Sequence, residues 1–265
     1  MTRKFTFLGT ATSSGVPVLG CDCPTCTSSD PRDRRQRSAA LITLAAGRIL
    51  IDTPPEIRYQ LLQVHATDSL RELPIRAVLY THHHADHIFG FDDIRGLCRI
   101  IKDALPVYCR EDTAQFIRHT FAYAFDERLA AWPPGLVPRV SIHCFTDGEP
   151  FTILGQTIVP IALEHNMPVT GFRLGELAYL TDVGSIPDES WQYLEGVRIL
   201  ILSCLRPEKP HPGHITLQEA LAIIERIKPQ RAYLTHLGHE MKHARISQQL
   251  PAGVMLAFDG LSFEF

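Results

Sequence analysis

Four histidines and a carboxylate fall within six consecutive residues, His82-His83-His84-Ala85-Asp86-His87. Surface loops are built mainly from Gly, Pro, Asn, Asp and Ser, each for a conformational reason that histidine does not share. The cluster therefore calls for a chemical explanation. Neutral imidazoles and ionised carboxylates are ligands for zinc and its neighbouring divalent ions, and the spacing His-x-His-x-Asp-His is the one a two-metal site needs. His82 and His84 alternate on extended chain and so point the same way, toward one ion. Asp86 and His87, a turn further on, can reach a second. His83 points the opposite way and is not expected to be a ligand.

Another cluster, Cys21-Asp22-Cys23-Pro24-Thr25-Cys26, offers three thiolates as corners of a tetrahedral zinc site, with Pro24 letting the chain wrap round the ion and the fourth ligand coming from elsewhere. Seven cysteines are present, an odd count that suits metal binding in a reducing compartment better than a disulfide framework. Cys98, Cys109, Cys144 and Cys204 show no such arrangement and read as small buried residues.

These residues must be positioned by ordinary elements. The apolar run 75–79 reads as a buried strand ending at the histidine cluster. Before it, a strand over 5–9 leads into the small-residue loop 10–15, which lets backbone approach a ligand closely. A hairpin follows, 38–44 and 48–51 across Ala45-Ala46-Gly47, with Asp52 at its exit as a carboxylate that orients a ligand rather than binding the ion. Apolar spacing predicts a helix over 57–64. After the cluster, 88–97 opens a helix whose N-terminus lies at the metal loop, 106–109 is a strand, and 113–125 is a helix whose aromatics (Phe116, Phe121, Tyr123, Phe125) belong to the core. Trp132-Pro133-Pro134-Gly135 marks a loop, a candidate lid or homodimer contact.

The second half repeats one device, a polar residue at a strand terminus. The strand 156–163 ends at His165, 177–180 at Asp182, and 231–235 at His236. A further strand covers 198–202. The turn Pro210-His211-Pro212-Gly213-His214 opens an amphipathic helix over 217–227. A short helix at 244–250 and a hairpin over 254–265, turned by Asp259-Gly260, close the chain.

At 265 residues, 45% hydrophobic and 21% charged, the composition is that of a globular protein, expected to form a single domain over 1–265. No apolar span reaches membrane length and no leader segment is apparent, so a cytoplasmic protein without a membrane partner is expected. A formal charge of −3 argues against a nucleic-acid partner. The basic run Arg32 to Arg37 reads as a solvated loop, with an anionic-substrate or RNA contact as the alternative.

Asp52, the His82-x-His84-x-Asp86-His87 motif, His165, Asp182 and His236 together resemble the metallo-β-lactamase superfamily over essentially the whole chain. The closer resemblance is to the phosphoribosyl 1,2-cyclic phosphate phosphodiesterase (PhnP-like) branch, with tRNase Z further off. It implies an α/β fold, an αβ/βα four-layer sandwich of two mixed β-sheets with helices outside. It also implies two catalytic divalent metals, zinc or manganese, with His82, His84 and His165 on one, Asp86, His87 and His236 on the other, and Asp182 bridging. In that branch a Cys-x-Cys-x-x-Cys and a histidine three residues after the last catalytic one hold a structural zinc; here these are Cys21, Cys23, Cys26 and His239. The implied activity is hydrolysis of a small phosphodiester, linear or cyclic, by a metal-bridging hydroxide, with Asp182 and His214 as catalytic residues and His214 acting on phosphoryl oxygens or the leaving alkoxide. His211 and His243 are weaker candidates. The segment 103–138 departs from the phosphonate enzymes. Competing readings are a thioesterase of the glyoxalase II kind, an RNA-processing nuclease, and a metal-binding or regulatory protein that has lost activity. The Gly/Pro-rich basic arm of tRNase Z has no clear counterpart.

Overall fold

The computed structural model describes residues 3–129 and 132–265. Positions 130 and 131, within the 103–138 segment, and the first two residues of the expected 1–265 domain lie outside the described residues. The first half supplies β1 (Lys4–Gly9), β2 (Ala39–Leu44), β3 (Gly47–Ile51), α1 (Ile57–Thr67), β4 (Ile75–Leu79), α2 (Ala85–Ile88), α3 (Arg95–Ile101), β5 (Leu105–Cys109), α4 (Glu111–Thr120) and β6 (Val140–Cys144). The second half supplies β7 (Phe151–Ile153), β8 (Gln156–Glu164), β9 (Pro168–Leu174), β10 (Leu177–Leu180), β11 (Ile199–Ser203), α5 (Leu217–Ile227), β12 (Arg231–Thr235), α6 (His243–Ser247), β13 (Val254–Leu256) and β14 (Ser262–Glu264).

Two seven-stranded sheets result, in the orders β14-β1-β2-β3-β4-β5-β6 and β13-β12-β11-β10-β9-β8-β7. Among the described residues each sheet has three antiparallel pairings at one end and three parallel pairings at the other. Side chains alternate across these strands with period two, so each strand feeds two cores. Ile42, Ile49, Ile51, Ile199 and Ile201 point inward and meet Phe5, Phe7, Phe172, Tyr179 and Tyr233 between the sheets. Leu41, Leu50 and Val78 face outward onto Ile57 and Leu61 of α1, Leu97 of α3 and Ile117 of α4. Leu200 and Leu202 face outward onto Ala220 and Ile224 of α5 and Ile246 of α6. This is the four-layer αβ/βα sandwich, with both sheets mixed.

Most expected elements stand within a residue or two of their sequence limits, and the departures have physical causes. The expected helix over 88–97 is broken into α2, a 3-10 turn at Phe91–Ile94, and α3. Gly90 makes the break: a Cβ there would lie 2.2 Å from the Pro54 carbonyl oxygen and 2.5 Å from Ile57 Cγ2, and its N–H donates to the Thr53 carbonyl at 2.8 Å. The helix expected over 113–125 begins at Glu111 and ends at Thr120, because Phe121 leaves helical geometry (φ −110°, ψ 40°) to stack on Phe91.

The expected hairpin over 254–265 does not form. β13 pairs with β12 in one sheet and β14 with β1 in the other, and Asp259-Gly260 is the crossover between them, held by Thr10 Oγ1 and the Gln36 N–H on the Asp259 carboxylate, each at 2.7 Å. Nor are all the remaining cysteines buried, since Cys144 is exposed on β6. β9 is a strand the sequence hides, because Pro168 and Gly171 read as loop residues. Gly171 is required there, since a Cβ would lie 2.5 Å from Leu180 Cδ2. No helix among the described residues is long and apolar enough to cross a membrane.

Gly90→Ala should therefore force the 53–57 segment away from the histidine loop and cost about 1–3 kcal/mol of stability, read as a lower midpoint with an unchanged slope in urea unfolding. An unchanged midpoint would show that the loop yields freely.

Candidate active site

The polar residues picked out at strand ends do converge. Asp52 follows β3, His82 follows β4, His165 sits in the short turn between β8 and β9, Asp182 follows β10, and His236 follows β12. Four of the five thus extend from C-terminal ends of strands in the parallel halves of the sheets, where open α/β sheets place their ligands. Three of them hold backbone that L-residues seldom adopt: Asp52 (φ 61°), Asp182 (φ 52°) and His236 (φ 55°). Such left-handed positions cost about 1–3 kcal/mol each and cluster at functional sites. The remaining non-glycine examples, Lys102, Leu154 and Lys228, sit at helix ends or a tight turn.

His82, His84 and His165 form one group, Asp86, His87 and His236 another, and His82, His87 and Asp182 a third that overlaps both; in each, the potential ligand atoms lie within 4.8 Å of one another. Asp182 ties the groups together: besides the set with His82 and His87 it forms another with His165 and His214, while its Oδ1 lies 3.1 Å from His236 Nε2 and its Oδ2 3.2 Å from His87 Nε2. His83 is turned away, its ring stacked on Phe116 at 4.7 Å. Asp52 is fully buried beneath the cluster. It accepts hydrogen bonds from the Thr81 N–H and Oγ1, both at 2.9 Å, and from His87 Nδ1 at 2.7 Å, which leaves His87 Nε2 facing the site. A carboxylate behind an imidazole fixes ring orientation and tautomer in just this way. His165 is oriented likewise, its Nδ1 donating to the Gly213 carbonyl. A Cβ at Gly213 would lie 2.7 Å from that nitrogen, so only glycine permits the contact.

Electrostatics and unmet hydrogen bonds both indicate that this donor set fits divalent cations. Burial opposes ionisation of Asp182, yet His236 and His87 hold its carboxyl well below the usual range. Burial also opposes charge on His87, but Asp182, Asp86 and Asp52 raise its pKa well above the ordinary value, so positive charge is favoured at this point. His82 is pushed the other way, first by burial and then by His87, and stays neutral. His87 Nε2, both ring nitrogens of His236, and His214 Nδ1 are buried without a hydrogen-bond partner among the described residues. Buried polar atoms are rarely left so.

A separate group joins the N-terminal cysteines to the loop after β12. His239 Nδ1 lies 3.2 Å from Cys21 Sγ, 3.6 Å from Cys23 Sγ and 3.7 Å from Cys26 Sγ, and the four ligand atoms form a compact Cys3His set suited to zinc. The cleft above the histidine cluster, about 430 Å³, is shared by both regions. It is lined by Ser13 and Ser14 of the small-residue loop, by Asn166, Arg206, His211 and His214, and by His239 and Glu240. His243 lies away from it, its N–H donating to Asp33 Oδ1 at 2.8 Å.

The basic run Arg32 to Arg37 is neither uniformly solvated nor turned to the cleft. Arg35 is 3% exposed. Its guanidinium pairs with buried Asp33 at 3.0 Å and donates to the carbonyls of Met241 at 2.7 Å and Gly238 at 3.3 Å, on either side of His239 and Glu240. Residue types alone do not show this clamp; its one signal in the sequence is an aspartate set inside a run of arginines.

A family model described as the beta-lactamase superfamily domain matches residues 47–237. A solved structure described as a new diphosphatase from the PhnP family superposes with a TM-score of 0.88 at 40% identity, covering 100% of this chain and 98% of that one. An octanoyltransferase of Porphyromonas gingivalis is 36% identical over 260 residues, 96% of this chain but 50% of that protein. The chain spans about half the length of the curated relatives it matches. Zinc-bound PqqB from Methylobacterium extorquens shares the fold, with a TM-score of 0.75 at 20% identity over 99% of this chain and 100% of that one. The chain therefore belongs to the beta-lactamase superfamily and, within it, to the PhnP family.

Removing one partner of a buried ion pair strands the other, at about 3–5 kcal/mol. Arg35→Met should lower stability on that scale in chemical denaturation, and Asp33→Asn in the same chain should restore part of the loss. A single variant as stable as the parent would remove the clamp from the account.

Proposed function

We propose that this chain, as a single domain over 1–265, is a metal-dependent hydrolase that cleaves a P–O bond in a small phosphodiester or diphosphate. The observation that carries the reading is Asp182 at the floor of the cleft, whose ligand oxygens fall within 4.8 Å of the ring nitrogens of His82 and of His165 from the first group, and stand 3.1 Å from His236 and 3.2 Å from His87 of the second. The likeness to a PhnP-family diphosphatase, close in sequence and along the whole chain, supports it. His82, His84 and His165 would hold one divalent ion, zinc or manganese. Asp86, His87 and His236 would hold a second, with Asp182 bridging, while Cys21, Cys23, Cys26 and His239 would hold a structural zinc. Ions so placed supply Lewis acidity toward phosphoryl oxygens and an activated water. The free thiols of the Cys3His set suit a reducing compartment, consistent with a cytoplasmic protein.

The remaining work falls to the chain. Asp52 and the Gly213 carbonyl hold His87 and His165 in orientation. His214 stands over the floor, its ring 4.5 Å from that of His165 and 5.0 Å from that of His236, with Nδ1 4.0 Å from Asp182 Oδ1. Burial first, and then His236, push its pKa down to about 3. It is therefore neutral near pH 7 and serves as a hydrogen-bond donor to a phosphoryl oxygen rather than as an imidazolium acid. Its backbone is pinned by the Ile215 N–H on the Val183 carbonyl at 3.0 Å, so the donor is set in place before substrate arrives.

Protein purified without chelator should contain about three divalent ions per chain. Cys23→Ser should lose one together with stability, because a structural site contributes folding energy; Asp182→Ala should keep the fold and abolish turnover. Equal unfolding of both variants would contradict that division.

Bis(p-nitrophenyl) phosphate and a dinucleoside diphosphate should be hydrolysed, and an S-acyl glutathione should not. His214→Ala should lower kcat by about 10²- to 10³-fold, with the fold and metal content kept. A donor to phosphoryl oxygen predicts the same defect for alkoxide and p-nitrophenolate leaving groups. A defect confined to the poor leaving group would instead make His214 a proton donor, and faster turnover of the thioester would overturn the phosphoryl assignment.

A further inference from the structure

A second concavity, about 860 Å³, lies between α1 and α3 on the outer face of the first sheet, and none of its lining residues belongs to the histidine cluster or the cysteine site. Its floor is apolar, formed by Leu61, Leu70 and Leu97, buried but lining the groove, with Leu62 and Leu136 at the rim 48% and 53% exposed. Five cations stand round it, Arg58, Arg71, Arg95, Arg99 and Lys102, against one carboxylate, Asp93. All five are exposed. Arg95 pairs with Asp92, and the other four enter no ion pair among the described residues. The chain as a whole carries a net charge of −3, so this concentration of positive charge is local.

We infer that this groove docks an acidic amphipathic helix of a partner protein. The charge selects an anionic occupant, and the leucines select one with an apolar face. The lining residues come from helices and connecting segments and none from a strand. No open sheet edge is therefore available to pair with an extended peptide, whereas a trough between two helices is the shape that receives a third. Phe, Tyr and Trp rings, on which nucleic-acid bases would stack, are missing from the lining, whose one ring is the His65 imidazole. In the complex the leucines of the incoming helix cover Leu62 and Leu136, and its carboxylates meet the four unpaired cations.

The test uses the intact chain and a fluorescein-labelled helical peptide with leucines on one face and glutamates on the other, followed by anisotropy, beside a control peptide with lysines for glutamates. The glutamate peptide should bind and weaken as salt rises, and the lysine peptide should not. Arg99→Glu with Lys102→Glu should reduce its affinity by about tenfold or more, and Arg58→Glu on the opposite helix should do so independently. Each variant should keep the parent's circular dichroism spectrum and hydrolytic rate, since the groove shares no lining residue with the active-site cleft. Equal binding of both peptides, or charge reversals without effect, would overturn the inference. So would tighter binding of a single-stranded RNA oligonucleotide or of phosphatidylglycerol vesicles that displaces the peptide. Self-association in sedimentation equilibrium that is lost in the charge-reversal variants would assign the groove to a second copy of the chain.

Discussion

Asp182 is the point at which the two halves of the molecule meet in chemistry. It follows a strand of the second sheet, holds a left-handed backbone, and offers one carboxylate oxygen to His87 from the first half and the other to His236 from the second. It is 2% exposed, so its charge must be answered locally: Thr181 Oγ1 donates to Oδ2 at 2.8 Å, and the facing imidazoles, with whatever cation they gather, supply the rest. The rest of the arrangement follows from that demand. Asp52 turns His87 toward it, Gly213 turns His165 toward the same space, and Gly184 packs tightly enough for a Cβ to lie 2.9 Å from the Glu164 carbonyl oxygen. Such close backbone approaches define positions rather than merely allow them.

The sandwich exists to supply that convergence. Each sheet is antiparallel at one end and parallel at the other, and most ligand-bearing loops leave from the parallel ends. Packing the sheets face to face on the Phe5, Phe7, Phe172 and Tyr179 layer brings those ends together. Left-handed backbone at Asp52, Asp182 and His236 is sustained by this core, because isolated loops would relax out of it. The buried Arg35 clamp extends the same logic outward, fixing the loop that follows His236 through its carbonyls.

What could be read from the chain, and what could not, divides along physical lines. Strands such as 75–79 and 177–180 and the helix 217–227 were legible because one apolar pattern, bounded by turn residues, decides each. The histidine cluster was legible because no packing role needs such a density. The final hairpin was misread because local sequence says that Asp259-Gly260 turns, not which sheet each flanking strand joins. β9 was hidden because Gly171 and Pro168 look like loop residues until the neighbouring Leu180 and Leu163 side chains are seen to leave no room for a Cβ. Arg35 was read by its charge, whereas its surroundings, two carbonyls and a carboxylate more than two hundred residues away or two residues away in sequence, decide its role.

The Cys3His set has a consequence for how the molecule is made. Cys21 and His239 stand 218 residues apart in sequence, so three thiols leave the ribosome long before their fourth partner. Until then they are an incomplete, reactive chelate. Closure of the set needs the segment that follows β12, so the cysteine loop, and the cleft wall beside it, lack their fourth tie until nearly the whole chain has been made. A chain interrupted before His239 would hold the three thiols without the imidazole that completes the set.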